Sequence, residues 1–151
     1  MWSSTRLSKS AIFKRQPPRA GAISWQLAQT FWVGGLWLLH FVMLPALEKI
    51  GLAPLLIETI GATLNPLLIG FAAFCALLQM AVLMQAEGVR SLWRDMRGQL
   101  LLAVLGMALA YFAVREWQPD AARWLLFNYL VLALFGVLLV LQPLPGQRAG
   151  R

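Results

Sequence analysis

His40, Tyr111 and Asn128 are the side chains with which this otherwise apolar sequence could do chemistry. An imidazole moves a proton near neutral pH, or gives a nitrogen lone pair to a metal or to haem iron. A phenol and an amide beside it would orient the bound group through hydrogen bonds. His40 is the one histidine and Cys75 the one cysteine, so an intrachain disulfide and a metal site of several Cys or His from one chain are excluded. His40, Tyr111 and Asn128 are then candidate cofactor-binding residues of a small site for a ligand, haem or a metal, with His40 as ligand or proton carrier. The same groups also serve a plainer purpose. A His and an Asn that hydrogen-bond across helices fix packing, at about 0.6 to 2 kcal/mol per pair. No Ser-His-Asp set, carboxylate pair or phosphate-cradling glycine loop accompanies them. The six acids, Glu48, Glu58, Glu87, Asp95, Glu116 and Asp120, are expected in loops. No catalytic residue and no metal-ligand set is assigned, and a carboxylate-driven proton pump is not expected.

The elements that must position these groups are too apolar for a domain folded in water. Apolar residues make up 60% of the 151 and charged ones 13%, with a mean hydropathy of +0.67, whereas a soluble fold carries roughly a quarter charged residues. Apolar runs at about 23–47, 62–85, 98–114 and 123–144 reach or approach the roughly 20 residues that cross about 30 Å of hydrocarbon. The fold class expected is all-α, a polytopic membrane protein with a four-transmembrane-helix bundle over residues 23–144. Residues 1–22 form a basic, Ser-rich tail broken by Pro17 and Pro18, which is expected to be disordered. It stays attached, because the next apolar run exceeds the roughly 7 to 15 residues of a signal peptide. Residues 145–151 form a second short tail. Between the first two spans, Pro54 can start and Gly61 can end a short surface or re-entrant piece. From Ala86 to Arg97, the spacing of Val89, Leu92, Trp93 and Met96 predicts either a short amphipathic surface helix or a helical extension of a neighbouring span.

A net charge of +7 and a pI near 10.8 would fit nucleic acid in a soluble chain, but the placement of the charges excludes it. Arg6, Lys9, Lys14, Arg15 and Arg19 precede the first span, Arg90, Arg94 and Arg97 follow the second, and Arg148 and Arg151 end the chain. Lys49, Arg115 and Arg123 alone fall on the other side. Positive-inside bias then places both termini in the cytoplasm of a bacterial inner (plasma) membrane, with anionic lipid headgroups as the partner of the basic flanks. Trp25, Trp117 and Trp124 stand at span ends, where indoles favour the interface.

Intramembrane polar and small residues indicate which faces turn inward. At 100° per residue, Gln26, Gln29, Thr30, Val33, Trp37, His40 and Leu44 share one arc of the first helix. The second helix aligns Gly61, Asn65, Ala72, Ala76 and Gln79; the third, Gln99, Ala103, Gly106, Ala110 and Ala113; the fourth, Asn128, Leu132, Phe135, Leu139 and Gln142. Gly34, Gly35, Gly106, Ala110 and Gln79 are the expected packing residues, with Gly34 and Gly35 marking a close contact or a bend. Helix alternation brings His40, Tyr111 and Asn128 to the outer third, near Asn65. Gln29, Gln79, Gln99 and Gln142 fall towards the cytoplasmic side, so two polar layers flank an apolar middle.

The stretch Trp32-Val33-Gly34-Gly35, followed by Phe41-Val42-Met43-Leu44-Pro45-Ala46-Leu47 and by Leu64-Asn65-Pro66, resembles the bacterial DUF4149 family, whose eukaryotic relatives include the TMEM205-like proteins. The likeness covers mainly residues 25–85 and implies four helices without supplying an activity. A wider similarity runs to copper-resistance D-like proteins and four-helix protoporphyrinogen oxidases. Those carry a histidine roughly two helical turns before the tryptophan; here Trp25 stands in that place, with Gln26 and Gln29 nearby, which weighs against haem or porphyrin chemistry.

The leading expectation is therefore a non-enzymatic inner-membrane protein without a cofactor, acting through assembly with itself or with a larger membrane complex, or by influencing transport. The alternative is a haem- or metal-dependent membrane redox protein using His40.

Overall fold

The computed structural model describes residues 19–118 and 120–143, and the regular structure among them is entirely helical. Helix α1 (Arg19–Leu38) runs through a π-helical turn (Leu39–Met43) into α2 (Leu44–Lys49) as one rod. Then come α3 (Pro54–Glu87), the single turn α4 (Ser91–Arg94), α5 (Met96–Trp117) and α6 (Ala122–Val140). Among the described residues four rods are long and apolar enough to cross a membrane, so the chain is an all-α four-helix bundle. Tails were expected at 1–22 and 145–151; residues 1–18 and 144–151 lie outside the described residues, and Arg19 to Ala22 open α1.

The rods close into a ring in which α1 packs on α3 and α6, and α5 packs on the same two. Trp32, Leu36, Ile69, Leu83, Leu101, Val104, Leu132 and Leu139 fill its centre. Up-and-down order puts the start of α1, the end of α3, the start of α5 and the end of α6 at one end, called here the terminal end. Lys49, Pro54, Trp117 and Ala122 mark the far end.

The piece expected to break at Gly61 is instead continuous with the second span, giving α3 34 residues. Pro54 occupies its first turn, where a residue without an N–H costs nothing. Gly61 is buried beside Leu44, 3.9 Å from where a Cβ would stand, so it serves a helix contact instead of a stop. Pro66 sits inside α3 and removes the amide that would have bonded the Ala62 carbonyl four residues back.

The connection after α3 is neither a surface helix nor an extension of a span. Gly88, at φ 82°, breaks the helix, and Asp95, at φ −94° and ψ 137°, breaks the next turn. The apolar period is therefore not carried by one helix. Leu92 turns inward, while Val89, Trp93 and Met96 stay exposed. Arg97 is buried beneath this turn and pairs with Glu87 at 3.8 Å.

Two expected faces are rotated. On α1 the buried set is Trp25, Gln29, Trp32, Val33, Leu36 and Leu39, while Gln26, Thr30 and Trp37 are exposed. Trp25 is thus a core residue, 3% exposed, and not an interface anchor; Trp117 and Trp124 are exposed at the far end as expected. On α5 the buried line is Gly98, Leu101, Val104, Ala108 and Tyr111. Gly106 faces outward with nothing within 4 Å of its Cβ position. Large side chains such as Trp25, Trp32, Leu36 and Leu101 fill the ring, yet bulk alone does not sort the faces, since Gly98 and Ala108 are buried on α5 while Phe31 and Leu109 are exposed.

Close approach depends on a glycine the sequence did not single out. A methyl at Gly136 would lie 2.7 Å from Val33 Cγ2 and 3.0 Å from the Trp32 ring, and Trp32 is completely buried. Gly136→Ala is therefore expected to destabilise the α1–α6 seam by about 1 to 3 kcal/mol, seen as a lower midpoint on SDS titration from mild detergent. An unchanged midpoint would mean that the seam relaxes at no cost.

Candidate functional site

The bundle does carry a polar layer towards each end. At the terminal end Gln79 of α3 bridges to α1: its Oε1 accepts from Trp32 Nε1 at 3.2 Å, and its Nε2 donates to the Trp25 carbonyl at 3.2 Å. Gln79 is 1% exposed, so the amide pairs groups that hydrocarbon would leave unmet. This places the expected packing residue Gln79 at a helix junction. Gln99 turns back to the connection, its Nε2 donating to the Trp93 carbonyl at 3.0 Å.

A groove of about 930 Å³ runs between α1 and the end of α6, and its lining includes Gln26, Gln29, Thr30, Gly34, Gly35 and Gln142. Gln29 is 6% exposed, yet its Nε2 has no hydrogen-bond partner. Gly34 does not make the close contact expected of it, since nothing lies within 4 Å of its Cβ position; a Cβ at Gly35 would stand 3.5 Å from Leu68 Cδ2, an ordinary van der Waals separation. Ala110 is only half-buried. Within one chain, then, Gly34 and Gly106 pack against nothing.

In the layer towards the far end, His40 stands in the π-helical turn. Its ring meets Phe41 edge-on at 5.2 Å and Tyr129 at 5.8 Å between centroids. The Leu44 amide there reaches back to Leu39, a five-residue step that widens the helix. Two side chains of α6 and α1 tie this region to backbone: Tyr129 Oη donates to the Leu36 carbonyl at 2.6 Å, and Trp37 Nε1 donates to the Ala133 carbonyl at 3.3 Å. Asn128 is buried with its Oδ1 unpaired. Tyr111 is buried too and packs edge-on to Phe112. Among the described aromatic rings His40 meets Phe41 and Tyr129 and not Tyr111; Tyr129 was not among the expected site residues. The adjacent Asn128-Tyr129 pair was the available signal, because a buried Tyr usually seats its hydroxyl on an acceptor.

Tyr111 belongs to a different place, a far-end cavity of about 610 Å³ whose lining includes Glu48, Glu58, Asn65, Tyr111, Arg115 and Glu116. Glu48, Glu58 and Glu116, expected in loops, lie on α2, α3 and α5. A second hollow of about 1050 Å³ shares Glu58, Ala62 and Arg115 with it. The described residues hold no group of three His, Cys, Asp or Glu fit to grip a metal ion. No protein-family model, curated protein or solved structure matches the chain.

Proposed function

We propose that this is a non-enzymatic, multi-pass protein of the bacterial inner membrane, with both termini cytoplasmic, that works by pairing with a second copy of itself through the α1–α6 groove. The observation that carries this is Gln29, a buried amide whose Nε2 is unpaired in a groove on the membrane-facing side of the bundle. A lipid chain offers no acceptor, so the cost of that donor persists in a monomer. A carboxamide is its own complement, with a donor and an acceptor on one planar group. Two copies related by a twofold axis along the membrane normal would present the same groove to each other, and the Gln29 side chain, which lines that groove, can rotate its amide outward so that Gln29 of each satisfies Gln29 of the other. The open Cβ space at Gly34 admits the approaching helix, as small residues do in membrane interfaces. His40, set against Phe41 and Tyr129, is read as part of the packing and not as a redox ligand.

Cysteine crosslinking in native membranes tests the pairing. In a Cys75→Ala background, Gly34→Cys is expected to give an oxidant-dependent dimer, whereas Leu109→Cys on the exposed face of α5 gives none. Gly34→Leu should abolish the dimer and leave a folded monomer. A monomeric mass in native-membrane nanodiscs, with equal crosslinking at both positions, would overturn the proposal.

A further inference from the structure

The far-end cavity is lined by hydrogen-bond acceptors that lack donors. Asn65 is half-buried and lines it; its Oδ1 has no partner among the described residues and is covered by its own surroundings, so a rotation of the amide presents it to a ligand. Tyr111 is 3% exposed, lines the cavity, and its hydroxyl makes no hydrogen bond among the described residues. Ala62 lines the same space, and its carbonyl lacks the helical donor that Pro66 cannot supply. Nearer the mouth, the carboxylates Glu48, Glu58 and Glu116 outnumber the single guanidinium of Arg115, which leaves the rim net negative. Leu44 and Leu125 are among the apolar wall residues.

We propose that this cavity binds a primary ammonium group carried on a short apolar body. An ammonium has three N–H donors and no acceptor. Asn65 Oδ1, the Tyr111 oxygen and the Ala62 carbonyl supply the acceptors, and the rim carboxylates offset the charge, as a desolvated cation requires. The apolar wall takes the attached carbon chain. A bare metal ion is a poorer occupant, because the carboxylates stand at the rim and not around one point. The chemistry is common to a soluble alkylamine and to the ethanolamine headgroup of a membrane lipid. This site is independent of the pairing groove, which lies at the other end of α1.

The test uses the full-length protein in phosphatidylcholine nanodiscs, titrated with n-butylammonium and followed by calorimetry and thermal unfolding. Saturable binding is expected, weakened about tenfold or more by Asn65→Leu or Tyr111→Phe and weakened likewise when butyltrimethylammonium replaces the primary amine. Tyr111→Phe removes one oxygen from a side chain of kept shape, so it serves if Asn65→Leu fails to fold. Nanodiscs containing phosphatidylethanolamine separate the sources. Loss of butylammonium binding there, with a raised unfolding temperature, identifies the lipid headgroup; undiminished binding identifies a soluble amine. No binding of butylammonium together with no stabilisation by phosphatidylethanolamine, or binding that neither variant alters, would overturn the proposal.

Discussion

Gly98→Ala is expected to cost about 3 kcal/mol or more and to loosen the connection between α3 and α5. A Cβ at this position would stand 2.5 Å from both the Cα and the carbonyl oxygen of Leu92. The obstacle is backbone, so no rotamer change relieves it. Leu92 itself is held under the turn, its amide bonded to the Val89 carbonyl at 3.3 Å and its side chain buried. Moving it would also disturb Arg97, which is 4% exposed and pairs with the Glu87 carboxylate at 3.8 Å. An Arg half-released from such a site leaves a buried charge poorly compensated. The measurement is an SDS-titration midpoint together with trypsin cleavage at Arg90 and Arg94, which should accelerate as the turn opens. Gly106→Ala, placed on α5 where nothing lies within 4 Å, is the matched control and should leave the midpoint near wild type. Equal midpoints for the two variants would show that the turn is not fixed by Gly98.

Gln79→Leu should be the next most damaging change, at about 2 to 3 kcal/mol. Leucine fills similar volume, so the loss is of hydrogen bonding and not of packing. The Trp32 Nε1 donor is orphaned in a fully buried position, and the Trp25 carbonyl loses its cross-helix donor. Trp32→Phe removes the orphan by itself. The two substitutions together should therefore cost clearly less than the sum of the singles, which a double-mutant cycle reads directly. Strict additivity would show that the Gln79 amide and the Trp32 indole act separately.

The number and length of the spans were legible because hydrocarbon imposes them: a chain that cannot hydrogen-bond to lipid must stay helical for about 20 residues. The inward faces of α3 and α6 were legible for a related reason. Gly61, Ala72, Ala76 and Gln79 are small or polar and all turned inward, as did Asn128, Leu132 and Leu139. The same rule failed on α1 and α5, where Trp25, Trp32 and Leu101 took the ring interior and Gly34 and Gly106 were left outside. A rule based on size does not distinguish a glycine that admits a neighbour in the same chain from one open to another chain. Gly98 and Gly136 are the reverse case. Each is decided by an atom far away in sequence or by a turn whose course depends on Gly88, so spacing along one helix carries no trace of them. His40 was grouped with Tyr111 by depth alone, and depth does not say which helices adjoin: α1 packs on α3 and α6, so α5, which carries Tyr111, stands across the ring. Glu48, Glu58 and Arg115 reach one cavity only because α2, α3 and α5 end at the same level, a fact of tertiary assembly.

The π-helical turn absorbs a phase. The five-residue step from Leu39 to Leu44 behaves as one extra residue threaded into an α-helical rod. Removing any one residue between Leu39 and Met43 would let the ladder close in the ordinary four-residue step, with the rod still long enough to span. Five residues of such a turn sweep about the same angle as four of α-helix, so everything beyond would keep its direction relative to α1. Glu48 would stay at the far-end cavity, and Trp25, Gln29 and Trp32 would keep their places. The same deletion in the unbroken helix of α1 would turn all that follows by about 100°, so the rod tolerates a lost codon at this turn and not before it.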